Sequence, residues 1–210
     1  MPPTKVVNNV MYVGAEVSFH GIQAYDLTKL RNLPRNKEVE IVSPDYITPE
    51  IGSTHNIVDV ELDDGTKKLI GVGMNPNDKT CPSNADGKLA SMAIFDVAND
   101  PVHPTFETCV YVDVAAGYVH DIHCVTYHGP TQQYQGSNIC ALFMEEDIVI
   151  YNLDSSEVIN TFTYSSKAYV HQGRFSDDHK TLYCGKFTRN RRALLRCCWY
   201  ASPNFVTSVY

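Results

Sequence analysis

Short apolar segments alternate with polar turn sequences along most of the chain. The apolar segments are rich in Val, Ile, Tyr and Thr, and clusters of Asp-Gly, Pro and Asn separate them. Such alternation is typical of antiparallel strands joined by turns, whereas a helix needs a period of 3.6 residues, which no long segment sustains. The pattern therefore predicts an all-β fold.

The predicted strands fall into groups of four. Two groups are complete, with strands near 54–61, 67–73, 89–97 and 105–112, and near 118–127, 138–143, 147–153 and 158–164. Asp63-Asp64-Gly65 is predicted to form the hairpin turn inside the first group. Three segments, 10–15, 20–27 and 38–42, predict the last strands of an earlier group, and residues 169–185 predict the first two strands of a later one.

Four strands in a unit of about fifty residues suit a β-propeller blade. The strand groups predict an incomplete arc of about three four-stranded blades over residues 1–185. The expected blades lie near 10–42, 54–112, 118–164 and 169–185. Residues 186–210 are expected to be a divergent basic tail that is not part of the fold. Because an open arc exposes strand edges, we expect the chain to associate through them.

A short motif that contains histidine marks the start of each unit. Tyr118-Val119-His120-Asp121 recurs as Tyr169-Val170-His171-Gln172, and Ser53-Thr54-His55-Asn56 is a looser copy. The successive histidines are 65 and 51 residues apart. Equal positions in a repeat imply equal distances from the propeller axis, so His55, His120 and His171 are predicted on the innermost strands with their side chains pointing toward one region.

Two interpretations of these histidines stay open. Three converging imidazoles can hold zinc, copper or iron, with Asp121 as a further oxygen ligand or as the group that orients one ring. Alternatively, the repeated histidines form hydrogen bonds within or between blades and bind nothing. The remaining histidines are predicted in turns or on a strand face: His20 in a turn before Gly21, His103 and His128 facing solvent, and His123 on a strand face.

Two disulfides are predicted from the strand positions. Cys81, in the long polar segment 75–88, is placed to face Cys109 on the last strand of its blade. Cys124 and Cys140 are predicted on the paired first and second strands of the next blade. Such bridges are typical of proteins from oxidising compartments. Three cysteines remain outside these pairs: Cys184, Cys197 and Cys198.

Composition and motifs exclude several functions. The net charge of −7 and the pI near 5.5 give no basic field for phosphate backbones, so nucleic acid is not an expected partner. No stretch of about 18 apolar residues is present to span a bilayer, and the N-terminus lacks the apolar core of a signal peptide. The chain has no Gly-x-Ser-x-Gly elbow, glycine-rich phosphate loop or His-Glu-x-x-His pair.

Several stretches between residues 10 and 182, taken together, resemble the LVIVD-repeat proteins of the choice-of-anchor B type. The matching stretches are Phe19–Leu30, Ser53–Val58, Gly117–Asp121 with Cys124, Tyr134–Gly136 with Cys140, and Tyr169–Gly173. The resemblance implies an extracellular or surface-anchored β-propeller without an established activity. That family has an export signal before the first matching segment and further blades after the last. We therefore expect this chain to be truncated at both ends.

The expected function is a non-enzymatic extracellular or cell-surface binding or scaffold module whose ligand is an unknown protein or glycan. The alternative is a metal-binding protein or metal-dependent enzyme that uses His55, His120 and His171 with zinc, copper or iron. No other cofactor is predicted. A third possibility is a gene-model fragment that has no function of its own.

Overall fold

The computed structural model describes residues 3–34, 36–40, 43–74, 81, 90–112, 118–162, 169–188 and 191–198, with the backbone alone from residue 186 onward. These ranges contain fifteen strands, named in chain order: β1 Thr4–Val7, β2 Val10–Val13, β3 Gln23–Asp26, β4 Tyr46–Ile47, β5 Asn56–Glu61, β6 Lys67–Val72, β7 Met92–Asp96, β8 Thr105–Val110, β9 Asp121–Thr126, β10 Asn138–Met144, β11 Asp147–Asn152, β12 Glu157–Phe162, β13 Tyr169–Phe175, β14 Thr181–Thr188 and β15 Arg191–Cys198. No helix in those ranges is long and apolar enough to cross a membrane.

The strands form four antiparallel sheets, and within each sheet they follow one another in chain order. The sheets are β1–β4, β5–β8, β9–β12 and β13–β15. A meander of four strands that recurs along the chain is the blade of a β-propeller. The fold is therefore all-β and of the β-propeller class, as the alternating pattern predicts. The chain divides into two compact units, 1–59 with 66–111, and 60–65 with 112–210.

The first blade differs from the prediction at both ends. An additional strand, β1, pairs with β2 through a tight turn at Asn8 and Asn9, whose φ angles are 48° and 66°. Asparagine tolerates this left-handed region, and two such residues in succession form the turn that joins twisted hairpin strands. The fourth strand lies at Tyr46–Ile47 rather than 38–42, since residues 38–40 form no strand and 41–42 lie outside the described residues.

The second blade agrees closely with the predicted strands. The turn from Leu62 to Gly65 joins β5 to β6, with Gly65 donating its N–H to the Leu62 carbonyl at 2.9 Å. Cys81 and Cys109 form a disulfide with a Cα–Cα distance of 5.6 Å. The core of this first unit packs buried side chains of both sheets, including Tyr12, Ile22, Ala24, Ile57, Leu69, Ala93 and Phe95.

The third blade begins the second unit. Cys124 on β9 lies directly opposite Cys140 on β10, and the two form a disulfide with a Cα–Cα distance of 4.0 Å. Both predicted bridges are thus present in the structure. The core of the unit is built mainly from the inward faces of β10 and β11 together with side chains of the last blade: Tyr127, Ile139, Ala141, Phe143, Ile148, Ile150, Val170, Phe175, Leu182 and Cys184.

The last blade has three strands rather than the two predicted. Residues 191–198, predicted to belong to a basic tail outside the fold, form β15 and pair with β14 along its full length, from Thr181↔Cys198 to Thr188↔Arg191. The apolar run Ala193-Leu194-Leu195 interrupts the arginines, so the segment has enough strand character to extend the sheet. The number of strands per blade therefore changes from three, four, four and two to four, four, four and three.

Candidate functional site

The predicted histidines occupy the starts of the first strands of three blades. His55 and His120 immediately precede β5 and β9, and His171 lies within β13. In the first unit, His55 Nδ1 is 2.8 Å from Glu16 Oε1. His120, His171 and Asp121 all belong to the second unit.

His120 and His171 contact each other in the second unit. Their ring centroids are 4.2 Å apart, and the Tyr169 ring meets His120 edge-on at 5.3 Å. His120 is buried, and its Nδ1 lies 2.7 Å from the His171 carbonyl oxygen. Because a carbonyl only accepts, this nitrogen must donate, which fixes the proton on Nδ1 in the neutral ring. The contact is the kind of hydrogen bond between blades that the second interpretation describes.

In the described part of the chain, no group of three or more histidine, cysteine or acidic side chains is arranged to hold a metal ion. In the second unit, the predicted ligands His120 and His171 contact each other. His120 uses Nδ1 for the His171 carbonyl, and the His120 and His171 rings lie at a tilted angle of 51° to each other.

A second group of histidines lines an open cleft at the other end of the same strands. We call it the histidine cleft. It has a volume of about 370 Å³ and lies where β9 and β13 end, beside the turn that follows β5. Its lining side chains are mainly polar or charged: Glu61, Asp63, His123, Thr126, His128, Arg174, Ser176, Asp177 and His179, together with Cys124, Val125 and Phe175.

Three of these residues form one connected chain of hydrogen bonds. His128 Nε2 lies 2.6 Å from Asp63 Oδ2, and the His128 backbone N–H donates to His179 Nδ1 at 2.9 Å. The His128 and His179 rings stack, with centroids 5.8 Å apart and an interplanar angle of 17°. The Tyr127 ring stacks on His179 from within the core at 5.9 Å. The arrangement holds His128 at the surface, with 58% of its side chain exposed.

The members of this chain occupy the same position in three successive repeats. Asp63, His128 and His179 are 65 and 51 residues apart, the same spacings that separate the three predicted histidines, and each follows one of them by eight residues. The site hypothesis drawn from the repeat used only the histidine at the start of each unit and did not extend to the positions eight residues later. His128 is exposed and Asp63 lies in the turn between β5 and β6, as predicted for each of them. Extending the repeat comparison by eight residues shows that these three positions are equivalent, but not that their side chains meet.

The hydrogen bonding sets the protonation state of His179. A backbone N–H can only donate, so His179 Nδ1 carries no proton and the ring is neutral. Burial lowers the pKa of His179 below its ordinary value of 6.5, and the electrostatic interaction with His128 lowers it further. Three nearby carboxylates raise the pKa of His179 without reversing the shift, those of Asp178, Asp63 and Asp177.

Acidification is expected to weaken the fold through His179. Because the folded protein holds this ring neutral, the unfolded chain binds more protons once the pH falls below about 6.5. The stabilisation is full above the pKa of the unfolded chain and is lost as the pH falls through that of the folded protein. Urea unfolding at about pH 7.5 and about pH 5 measures the difference.

His179→Asn is the matched control for this prediction. His179 has a φ of 51°, a region that asparagine tolerates, and the asparagine side-chain oxygen can accept the His128 N–H without titrating. The variant should lose part of the pH dependence and keep its stability near pH 7.5. The same pH dependence in both proteins would contradict the role given to His179.

The chemistry of the histidine cleft suits binding of a polar ligand. Glu61, Asp63 and Asp177 offer acceptors, and Arg174 offers donors. The cleft's serine hydroxyl is committed elsewhere, since Ser176 Oγ donates to Asp178 Oδ1 at 2.7 Å and accepts the Thr181 N–H at 3.0 Å. It therefore does not pair with a histidine in the way a serine nucleophile requires.

No family model matches the chain, and no curated protein matches it. Solved structures do match, and one of them is the β-propeller domain of Cps50 (Swd1) from Myceliophteria thermophila, which is 9% identical with a TM-score of 0.45. The match covers 96% of this chain and 53% of that one, so this chain spans about half the length of the matched structure.

Proposed function

We propose that this chain is a non-enzymatic extracellular or cell-surface β-propeller module that binds a protein or glycan ligand through the histidine cleft. The observation that carries the proposal is the convergence of Asp63, His128 and His179 from three successive repeats on one exposed polar cleft. Loops and turns on a rigid scaffold are where binding residues concentrate.

The two disulfides support the extracellular location. Cys81–Cys109 has a Cα separation of 5.6 Å, within the range of ordinary bridges, and Cys124–Cys140 joins directly opposed residues of β9 and β10. Disulfides of this kind persist in secreted and surface proteins and are rare where glutathione keeps thiols reduced. The resemblance to the LVIVD-repeat proteins favours the same location.

Binding is tested with the purified, disulfide-bonded protein on arrays of extracellular matrix proteins and of glycans. We expect at least one ligand to bind, and we expect the double variant Asp63→Ala/His128→Ala to bind it at least about tenfold more weakly. Both side chains are well exposed, at 62% and 58%, so their removal should leave the fold intact.

A matched pair elsewhere in the chain provides the control. Asp100 and His103 form a similar contact at 3.0 Å, with side-chain exposures of 60% and 57%. Asp100→Ala/His103→Ala should leave ligand binding unchanged. Absence of binding to every array member, equal loss in both double variants, or chemical conversion of the ligand would each overturn the proposal.

A further inference from the structure

A second cleft of about 310 Å³ lies on the same unit and shares Arg174 with the histidine cleft. We call it the Tyr183 cleft. Its lining residues come from β9, β13 and β14: Asp121, Gln172, Gly173, Arg174, Tyr183 and Gly185. Its volume is at the lower end of the range of small-molecule sites, enough for one or two small rings.

The strand register places its side chains on one face. Arg174 is paired with Tyr183, and Gln172 is paired with Gly185. Directly opposed residues of antiparallel strands project to the same side of a sheet, so these four positions form a single patch. A bulge between Val170 and Gln172 sets the alternation that turns Gln172 and Arg174 outward, where both are exposed.

The glycines keep this patch open. At Gly185 the absence of a side chain leaves a hollow next to Gln172, because a Cβ there would lie 3.4 Å from Gln172 Cγ. Gly173 lets β13 lie close to the core, since a Cβ there would meet the Phe143 ring at 2.5 Å. A flat ring can therefore approach the backbone between the Arg174–Tyr183 pair and the Gln172 side chain.

The polar groups of the cleft complement hydroxyl groups. Asp121 supplies acceptors, Arg174 supplies donors, and the Gln172 amide supplies both. The Arg174 side chain lines the cleft and makes no hydrogen bond or ion pair with the described residues, so its five donors can face a ligand. Each sugar hydroxyl donates and accepts at once, and neighbouring hydroxyls thus match an acceptor placed beside a donor.

Tyr183 adds an apolar surface. Its side chain is 36% exposed, and the negative face of an aromatic ring attracts the weakly positive C–H groups of a sugar ring. We propose that the Tyr183 cleft binds a neutral saccharide unit. Asp121 beside Arg174 leaves the cleft without net charge, and the chain as a whole carries −7, which disfavours sulfated or carboxylated sugars.

Titration calorimetry tests this with maltotriose, cellotriose, mannotriose and chitotriose as neutral probes, and with sialyllactose and a heparin disaccharide as charged ones. We expect at least one neutral trisaccharide to bind, and Tyr183→Ala and Gln172→Ala each to weaken it at least about tenfold. Tyr183→Phe keeps the ring and should retain binding. Tyr111→Ala, which removes another tyrosine of 36% exposure, should change nothing.

The outcomes separate this inference from the proposed function. Asp63→Ala/His128→Ala should still bind the neutral trisaccharide, since neither residue lines the Tyr183 cleft. Binding of no neutral probe, binding of charged probes alone, or unchanged binding in Tyr183→Ala would overturn the inference. If Tyr183→Ala fails to fold, the exposed positions Gln172 and Arg174 give the same test by alanine substitution.

Discussion

Replacing Cys81 and Cys109 together by alanine is expected to lower the free energy of unfolding by about 3.5 kcal/mol. This value is the loop entropy that a bridge removes from the unfolded chain for a separation of 28 residues. Alanine keeps the apolar character of both positions: Cys81 is buried in the core of the first unit, and Cys109 is partly buried against it. Urea unfolding of the oxidised wild type and the double variant measures the change.

The second bridge is the internal comparison. Cys124→Ala/Cys140→Ala opens a separation of 16 residues, so the expected loss is about 3 kcal/mol. Hydrogen exchange should locate the two effects in different units, since each bridge lies within one of them. Equal stability of oxidised and reduced wild-type protein would contradict both expectations and would weaken the extracellular proposal.

The strands of the second and third blades were predictable from sequence. Their apolar residues alternate, and strong turn signals such as Asp64-Gly65 bound them, so the period of two is visible without tertiary information. The cysteine pairs followed from the same strand positions. Once 118–127 and 138–143 are taken as neighbouring strands, Cys124 and Cys140 are placed to face each other.

The first and last blades were harder because their strands are short or unusual. The four residues of β1 end at Asn8-Asn9, a turn that lacks the glycine usually expected at a tight hairpin. The two-residue strand β4 is defined by its pairing with β3 rather than by its own pattern. For β15, the arginines favoured a basic tail over a strand, although apolar residues lie among them. Pairing with β14 sets the structure there.

The site was only partly visible in the sequence. The repeat spacing identifies equivalent positions, but it does not say which of them contact one another. That depends on the tertiary packing of β9 against β13, which places His128 beside His179. A side chain in a polar turn, such as Asp63, also carries no sequence signal that distinguishes a partner in a cleft from an ordinary turn residue.

Phe143→Ala is expected to lower the free energy of unfolding by about 3–5 kcal/mol, the cost of removing a large buried ring. Phe143 is fully buried on β10, and its carbonyl oxygen accepts the His120 N–H at 2.8 Å. Its ring also packs against Gly173 of β13. The cavity left by Phe143→Ala would therefore loosen the contact between β9 and β13 that both clefts depend on.

Phe143→Leu should lower the free energy of unfolding by less than Phe143→Ala does, because leucine refills part of the volume. Val158→Ala, at a side chain 41% exposed on β12, should change stability by less than about 1 kcal/mol. Urea unfolding measures all three variants, and equal losses for Phe143→Ala and Val158→Ala would show that the core of the second unit is not packed as described.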